Sequence, residues 1–573
     1  MNEQVRGPMR PLTGGTRAID VLLVLAIGLI VNCASLGEGP LAGTEGHRAL
    51  VAHQMVQSGD WLLPRLYDQM YLAKPPLHYW ILAAMEKLTG RASELVWRLP
   101  SAVAGAAIAG FLCFMGGVWF GRLAGLVSGV ACCSLVALWG QNHTAEIDAT
   151  NSLAGVVTAC LLIHLGFVTP RRRIACALAA GLAFGAELLL KGPAGLAAIV
   201  GALAGPAILN RTLATLKQPW PWIALAIGTG MFGVYGLAAL WKFHQLQLAP
   251  ETSGVNEIWI NLWNDDRIRN LPQTLLIPVL LLVYAMPVSF FLPMALHGPL
   301  WRGDGEARGR SGSWSVRDRQ VLRALLGSML IACGVTMVCG MWFPRYSYMW
   351  LPLICPVAGA AAAAWERGLY RAKLIDLMNI ALVCVGIAFT VGIIVMAALC
   401  WRGHVGHWAL LWTCGMIAAG MTGLIVRWIG QNRMAWVGWG VIVVILAASG
   451  PYGLAQMADR QRRSGERCAE VVAANVARGE TVTTGHLILD QPEIFYYAGL
   501  NVRSYPDSLY LPREFPTSRW MLLDNYEYDA WSRAMPQRLT HVRRIEYRHF
   551  SAALAWYTAR DDASRPPPLS MSR

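Results

Sequence analysis

The sequence predicts a polytopic α-helical membrane protein with about thirteen transmembrane helices and a small α/β domain at its C-terminal end. Three observations carry that reading. Hydrophobic residues make up 55% of the 573 positions and charged residues only 14%, against about 25% charged in an average soluble domain. Apolar windows of about 17 to 25 residues recur along the chain, and about 20 residues at 1.5 Å rise cross the hydrocarbon core. From about Met457 onward the composition turns polar.

The first candidate span, Ala18 to Leu36, follows Arg6, Arg10 and Arg17. It reads as an uncleaved anchor with a cytoplasmic N-terminus, the alternative being a signal peptide. Counting alternate connections from there, the inner loops carry Arg122, Arg171 to Arg173, Arg211 with Lys217, Arg302 to Arg319, Arg367 to Lys373, and Arg427 with Arg433. That bias sets the orientation by the positive-inside rule and accounts for most of the net charge of +14. The charge therefore carries no nucleic-acid inference. Orientation places residues 37–99 and the C-terminus outside.

The outer stretch Glu38 to Arg65, with Tyr71 to Trp80 behind it, is the longest polar interruption in the first half. Leu50, Val51, Met55 and Val56 give a helical period suited to the interface, ahead of a turn at Ser58 to Trp61. Trp61, Tyr67, Tyr71, Tyr79 and Trp80 are aromatics expected at headgroup depth, and Pro76 to Leu88 is too short to span. Further spans are expected at Pro100 to Phe120, Ala124 to Gly140, a fourth ending at Pro170, and Ile174 to Leu190 with another apolar run to Asn210. After them come Leu275 to Leu296, Leu322 to Met341, Leu377 to Cys400, Ala409 to Val426 and Trp436 to Gly450. Trp259 and Trp263 predict a short helix in the outer loop Trp241 to Pro272. In the terminal domain Cys468 to Ala477 reads as a helix, stopped at Gly479. Glu480 to Thr484, Leu500 to Tyr505 and Trp520 to Leu523 read as strands, and Pro566 to Arg573 as a disordered tail. The domains are thus 1–455 in the membrane and 456–573 outside.

Of thirteen cysteines, only Cys468 lies in the terminal part. No disulfide framework, zinc spacing, Walker loop, dinucleotide fingerprint or metalloprotease helix is present. Ionisable residues gather at the outer ends of the spans. Glu146 and Asp148 begin a helix, where acids are favoured without any chemistry. Lys191 ends one before Gly192-Pro193, where snorkelling is the plain alternative. Arg345, outside against the charge rule, is a headgroup anchor or a phosphate ligand. Carboxylates accept a proton from a hydroxyl nucleophile, and cations hold a phosphate leaving group. Both signs on an outer leaflet suit group transfer from a lipid phosphate. A sugar-lipid flippase or transporter would need polar residues along its spans, and a membrane-anchored binding or assembly protein would not require Glu45.

The run Thr44-Glu45-Gly46-His47-Arg48-Ala49, then S-G-D-W-L-L-P-R from Ser58, Y-L-A-K-P-P-L-H-Y-W from Tyr71, E-I-D at 146–148, L-K-G-P-A-G from Leu190, and Pro344-Arg345-Tyr346 resembles the GT-C class of membrane glycosyltransferases. The likeness is strongest to the bacterial branch with the lipid A aminoarabinose transferase and related protein mannosyltransferases. The resemblance implies the GT-C fold and an undecaprenyl-phosphate sugar donor. A hexose or pentose would pass with inversion to a lipid, glycan or protein acceptor, as in lipid A modification of the cell envelope. It implies Glu45 as the catalytic acidic residue of the first outer loop and Asp148 as the second. Lys74, Lys191, Arg345 and Tyr346 would contact the donor phosphate. Many relatives carry an Asp-Glu pair where this chain has Thr44-Glu45, which leaves Glu45 as the candidate base. No cofactor is demanded. A divalent metal ion held by Glu45, Asp148 and a histidine is the open alternative.

Overall fold

The computed structural model describes residues 17–66, 69–71, 74–245, 275–297, 300–301, 314–339, 344–370, 372–402, 408–430, 440–449, 451–454, 465–477, 480–484, 492–499, 501–504, 520–534, 539–547 and 550–557. Its early helices are α1 (Ala18–Cys33), α2 (Glu45–Ser58), α3 (Leu77–Thr89), α4 (Glu94–Phe120), α5 (Arg122–Cys133), α6 (Val136–Asn142), α7 (Ile147–Leu165), α8 (Pro170–Lys191), α9 (Leu196–Leu209) and α10 (Pro219–Gln245). The chain divides into two compact units. One holds Met1–Leu36, Leu99–Leu240 and Trp259–Ala455; the other holds Gly37–Arg98, Trp241–Ile258 and Gln456–Arg573. The first outer loop and the C-terminal segment, far apart in sequence, therefore belong to one unit.

The first unit is a helical bundle. Among the described residues six helices are long and apolar enough to cross a membrane, or seven if a bent pair counts as one span, and five shorter apolar helices accompany them. Backbones approach closely where side chains are small, which is how helices associate without a hydrophobic force between them. Gly201 and Gly205, one turn apart on α9, meet the helix Val316–Val338 so tightly that a Cβ on Gly205 would lie 2.2 Å from the Ser328 nitrogen. On Gly201 it would lie 2.4 Å from the Ser328 carbonyl oxygen. The Ala-rich helix Ile354–Glu366 packs against α5 in the same way, with Gly359 over Ala124 and Ser128.

Two expected spans are not continuous. Ala124 to Gly140 breaks at Ser134–Leu135 into α5 and α6, and the Trp139 indole donates to the freed Cys133 carbonyl at 2.7 Å. Leu275 to Leu296 bends by 102° between Ile277–Tyr284 and Val288–Ala295, around Pro287. Proline removes a helical donor and crowds the preceding turn, so a bend there has a local cause. Two of the basic connections, at Arg122 and Arg367, lie at one end of the bundle. Arg122 forks onto Asp20 at 2.8 and 2.7 Å. Arg367 reaches Asp318 at 2.6 Å and the Phe120 carbonyl at 3.1 Å. The predicted loop Arg302 to Arg319 has become helix by Val316, capped by Ser315, whose hydroxyl accepts from the Asp318 amide at 3.0 Å.

In the second unit α2 and α3 pack together, joined by a hairpin of β1 (Arg65–Leu66) and β2 (Gln69–Met70). Gly59, at φ +70, ends α2 as the turn requires. Tyr79 differs from expectation. It is fully buried and its hydroxyl accepts from Arg48 at 2.8 Å, so it serves the interior rather than a headgroup layer. The C-terminal part is a five-stranded sheet of β3 (Thr481–Thr484), β4 (Asn501–Ser504), β5 (Trp520–Asp524), β6 (Leu539–Tyr547) and β7 (Phe550–Tyr557), in the order β4-β3-β5-β7-β6. β4, β3 and β5 run parallel, while β7 and β6 form an antiparallel hairpin absent from the sequence reading. Helices Glu466–Ala473, Pro492–Ala498 and Asn525–Ala534 accompany it. Trp259, Trp263, Gly479 and Pro566 to Arg573 lie outside the described residues.

Glu493, in the helix Pro492–Ala498, is buried in this unit. Its Oε1 accepts from the Gly465 amide at 3.3 Å. Burial, with a smaller push from the Glu45 charge, raises its carboxyl to about 8. A carboxyl raised on folding costs stability as pH climbs from its unfolded value to its folded one. The Glu493→Gln variant of the full chain should therefore melt at the same temperature as the parent near pH 4.5. Its advantage should grow to a few kcal/mol by pH 8, on the order of 1.4 kcal/mol per pH unit, and stay level above that. Thermal melts across this range check it.

Candidate active site

Glu45 is the first residue of α2, and both of its oxygens are engaged. Arg98, buried in the early turns of α4, donates from Nε to Oε1 at 2.9 Å and from Nη2 to Oε2 at 3.0 Å. Oε2 also accepts the Ala42 amide at 3.1 Å. The other Arg98 hydrogens go to the carbonyls of Glu38 at 3.2 Å, Gly39 at 3.0 Å and Pro40 at 2.8 Å. Gly39 and Gly43 adopt φ +74 and +60, so the Glu-Gly-Pro-Leu-Ala-Gly run can turn its carbonyls inward around one guanidinium. Glu38 thus serves through its backbone. Arg98 was missed by the sequence reading; its only signal is a lone cation in Leu-Val-Trp-Arg-Leu-Pro.

Around this core Arg48 donates to the hydroxyls of Tyr71 and Tyr79 at 3.2 and 2.8 Å, and His47 stacks on Tyr71. His53 contacts Glu86 Oε1 at 2.6 Å and Gln57 at 2.8 Å. Lys74 lies half-buried ahead of α3. The turn behind α2 is tied by Asp60, which accepts the amides of Leu62 and Leu63 at 3.1 and 3.4 Å and the Lys242 ammonium at 2.7 Å. Burial pushes the Asp60 carboxyl up, but Lys242 and the two amides outweigh it and hold the group below the ordinary range.

In the bundle unit four predicted residues come together. Asp148 stands in the first turn of α7 and Lys191 closes α8; their side chains form an ion pair buried to nine-tenths. Lys191 Nζ lies 5.2 Å from the centre of the Tyr346 ring, and the Arg345 guanidinium lies 5.7 Å from the same ring. A tyrosine flanked by two cations offers charge that suits an anion, and the carboxylate beside them is a group that can accept a proton. Asp148 keeps its favourable place at a helix N-terminus as well. Glu45 and Lys74 belong to the other unit.

Glu187, one turn before Lys191, escaped the sequence reading. It is fully buried, and neither of its oxygens has a hydrogen-bond partner among the described residues. Its carboxyl fills the space over Gly195, where a Cβ would lie 1.0 Å from Oε1. The turn Gly192–Gly195 after Lys191 is built on two glycines for different reasons: Gly192 has φ +67, and Gly195 must leave room for Glu187.

Two predictions follow from this geometry. Breaking one partner of a buried ion pair costs about 3–5 kcal/mol, whereas replacing both by apolar residues is far milder. Glu45→Leu and Arg98→Met should each lower the melting temperature of the full chain sharply, and the double variant should lose much less than their sum. Gly195→Ala should destabilise by about 1–3 kcal/mol through overpacking, and Glu187→Ala in the same chain should recover most of that loss in the same melts.

No group of three His, Cys, Asp or Glu side chains that could hold a metal ion occurs among the described residues. Residues 73–243 match the family model for dolichyl-phosphate-mannose-protein mannosyltransferases. An undecaprenyl phosphate-alpha-4-amino-4-deoxy-L-arabinose arabinosyl transferase of Aeromonas salmonicida is 29% identical over 197 residues, 34% of this chain and 36% of that protein. Its counterpart in Aeromonas hydrophila is 27% identical over 190 residues, 32% of this chain and 34% of the relative. The match thus spans about a third of the length of these curated relatives. The crystal structure of ArnT from Cupriavidus metallidurans bound to undecaprenyl phosphate superposes with a TM-score of 0.65 at 18% identity, covering 93% of this chain and 97% of that one. Likeness along nearly the whole of both chains establishes the fold: the chain is a polytopic membrane protein of the GT-C fold, similar to the ArnT-like transferases.

Proposed function

We propose that the protein is an inverting glycosyltransferase that moves a sugar from undecaprenyl phosphate to a lipid, glycan or protein acceptor at the outer face of a bacterial inner membrane. The observation that carries this reading is the buried Asp148–Lys191 ion pair, with the partly buried Tyr346 ring and the exposed Arg345 guanidinium beside it. The relatives named for undecaprenyl-phosphate arabinose transfer support the donor class.

In the proposed reaction the acceptor hydroxyl attacks the anomeric carbon from the face opposite the phosphate. The bond from that carbon to the phosphate oxygen breaks, its electron pair stays on the phosphate, and the hydroxyl proton passes to a carboxylate. Lys191 and Arg345 would hold the phosphate as its charge grows. Lys191 is paired with Asp148 in this structure, so an arriving phosphate would compete for the ammonium and release Asp148 to accept the proton. Glu45, the other candidate base, is held by Arg98, and would have to loosen that fork to act. Lys74 is a further proposed phosphate contact. A divalent metal ion at Glu45 or Asp148 is the alternative that the chelator arm of the experiment below decides.

Purified protein incubated with a panel of undecaprenyl-phosphate sugars, with and without chelator, should consume one donor. Lys191→Ala should raise the KM for that donor about tenfold or more, the worth of a charge-assisted contact, and Asp148→Asn should lower kcat by about 10²–10⁴. A wild-type chain that consumes no donor in the panel would refute the reading.

A further inference from the structure

The loop that presents Glu45 is held from two directions. On one side Arg98 takes its carbonyls. On the other, the Leu41 amide donates to the Tyr497 hydroxyl at 2.8 Å, and that hydroxyl donates onward to Glu94 Oε1 at 2.7 Å. Tyr497 sits on the helix Pro492–Ala498 of the C-terminal segment. Its neighbour Tyr496 packs edge-on to Trp97 at 5.1 Å and to His53 at 6.1 Å, and its hydroxyl donates to the Ala92 carbonyl at 3.3 Å. One short helix thus touches the Glu45 loop, α2 and the start of α4 within a single unit. Leu41 precedes Ala42, whose amide binds Glu45. The chain of contacts is therefore Glu94 to Tyr497 to Leu41, and through the next peptide to the carboxylate.

We propose that the C-terminal domain is a working part of the transfer site, with Tyr497 a positioning residue that fixes the Leu41–Ala42 turn and through it Glu45. The proposal rests on the transferase reading with Glu45 taking part. A phenol suits the task because its one oxygen both accepts and donates, joining the Leu41 amide to the Glu94 carboxylate. Burial, and then the Glu94 carboxylate, hold the Tyr497 phenol well above the ordinary tyrosine range, so it keeps its hydrogen at any working pH.

The test compares the full-length wild type with Tyr497→Phe and Glu94→Gln, in one lipid nanodisc preparation. Phenylalanine keeps the ring packing and removes only the bridging oxygen; glutamine still offers an acceptor. For Tyr497→Phe, amide exchange across residues 38–45 should rise about tenfold, the worth of one such hydrogen bond, while peptides from α7 to α9 stay unchanged. With an undecaprenyl-phosphate sugar that the wild type consumes, kcat should fall about tenfold with the donor KM within about twofold, and Glu94→Gln should lie close to wild type. Unchanged exchange in 38–45 overturns the clamp, and faster exchange with unchanged kcat overturns its link to transfer. A wild type that consumes no donor overturns the transferase reading by itself, and the exchange experiment then still decides whether Tyr497 holds the turn.

Discussion

A guanidinium removed from water has five hydrogens to satisfy, and most of the Glu45 region is a solution to that constraint. Arg98 is buried, so three consecutive carbonyls and one carboxylate converge on it. That convergence dictates the path of residues 38–45, the need for positive φ at Gly39 and Gly43, and the start of α2. Charge here is first a means of shaping backbone. A carboxylate so engaged is well placed and strongly restrained, two properties that pull against each other in a base.

The Asp148 and Lys191 pair solves a related problem with fewer parts. Each side chain is delivered by a helix end, α7 from its first turn and α8 from its last, and each is the other's counter-ion in a nearly dry setting. Such a pair is costly to break by deletion, because the charge that remains is left buried and uncompensated. Tyr346, lying between Lys191 and Arg345, lines the cations up without neutralising either.

The sequence exposed the parts of this arrangement that depend on local chemistry. Asp148, Lys191, Arg345 and Tyr346 stand at ends of apolar runs, where a charge is conspicuous and where motif order gave each a role. The basic connections at Arg122 and Arg367, conspicuous in the sequence, lie near each other in the structure. Hydropathy does not report helix continuity, so the break at Ser134 and the bend at Pro287 were hidden inside uniform apolar stretches. The β6 and β7 hairpin was hidden for another reason. Ser-Ala-Ala-Leu-Ala-Trp has no strand bias, and tertiary pairing with β5 decides its state. Arg98, Glu187 and Tyr497 were illegible because their meaning lies wholly in partners distant in the chain or in the space over a glycine.

The contact between Leu41 and Tyr497 joins residues 456 positions apart. Ribosomes add about 5–20 residues per second, so the Glu45 turn waits some tens of seconds for its second support while the intervening helices enter the membrane. A chain can be inserted and packed in its bundle and still lack a finished loop. Completion of that loop therefore comes late in synthesis, after the helices between its two supports have been made.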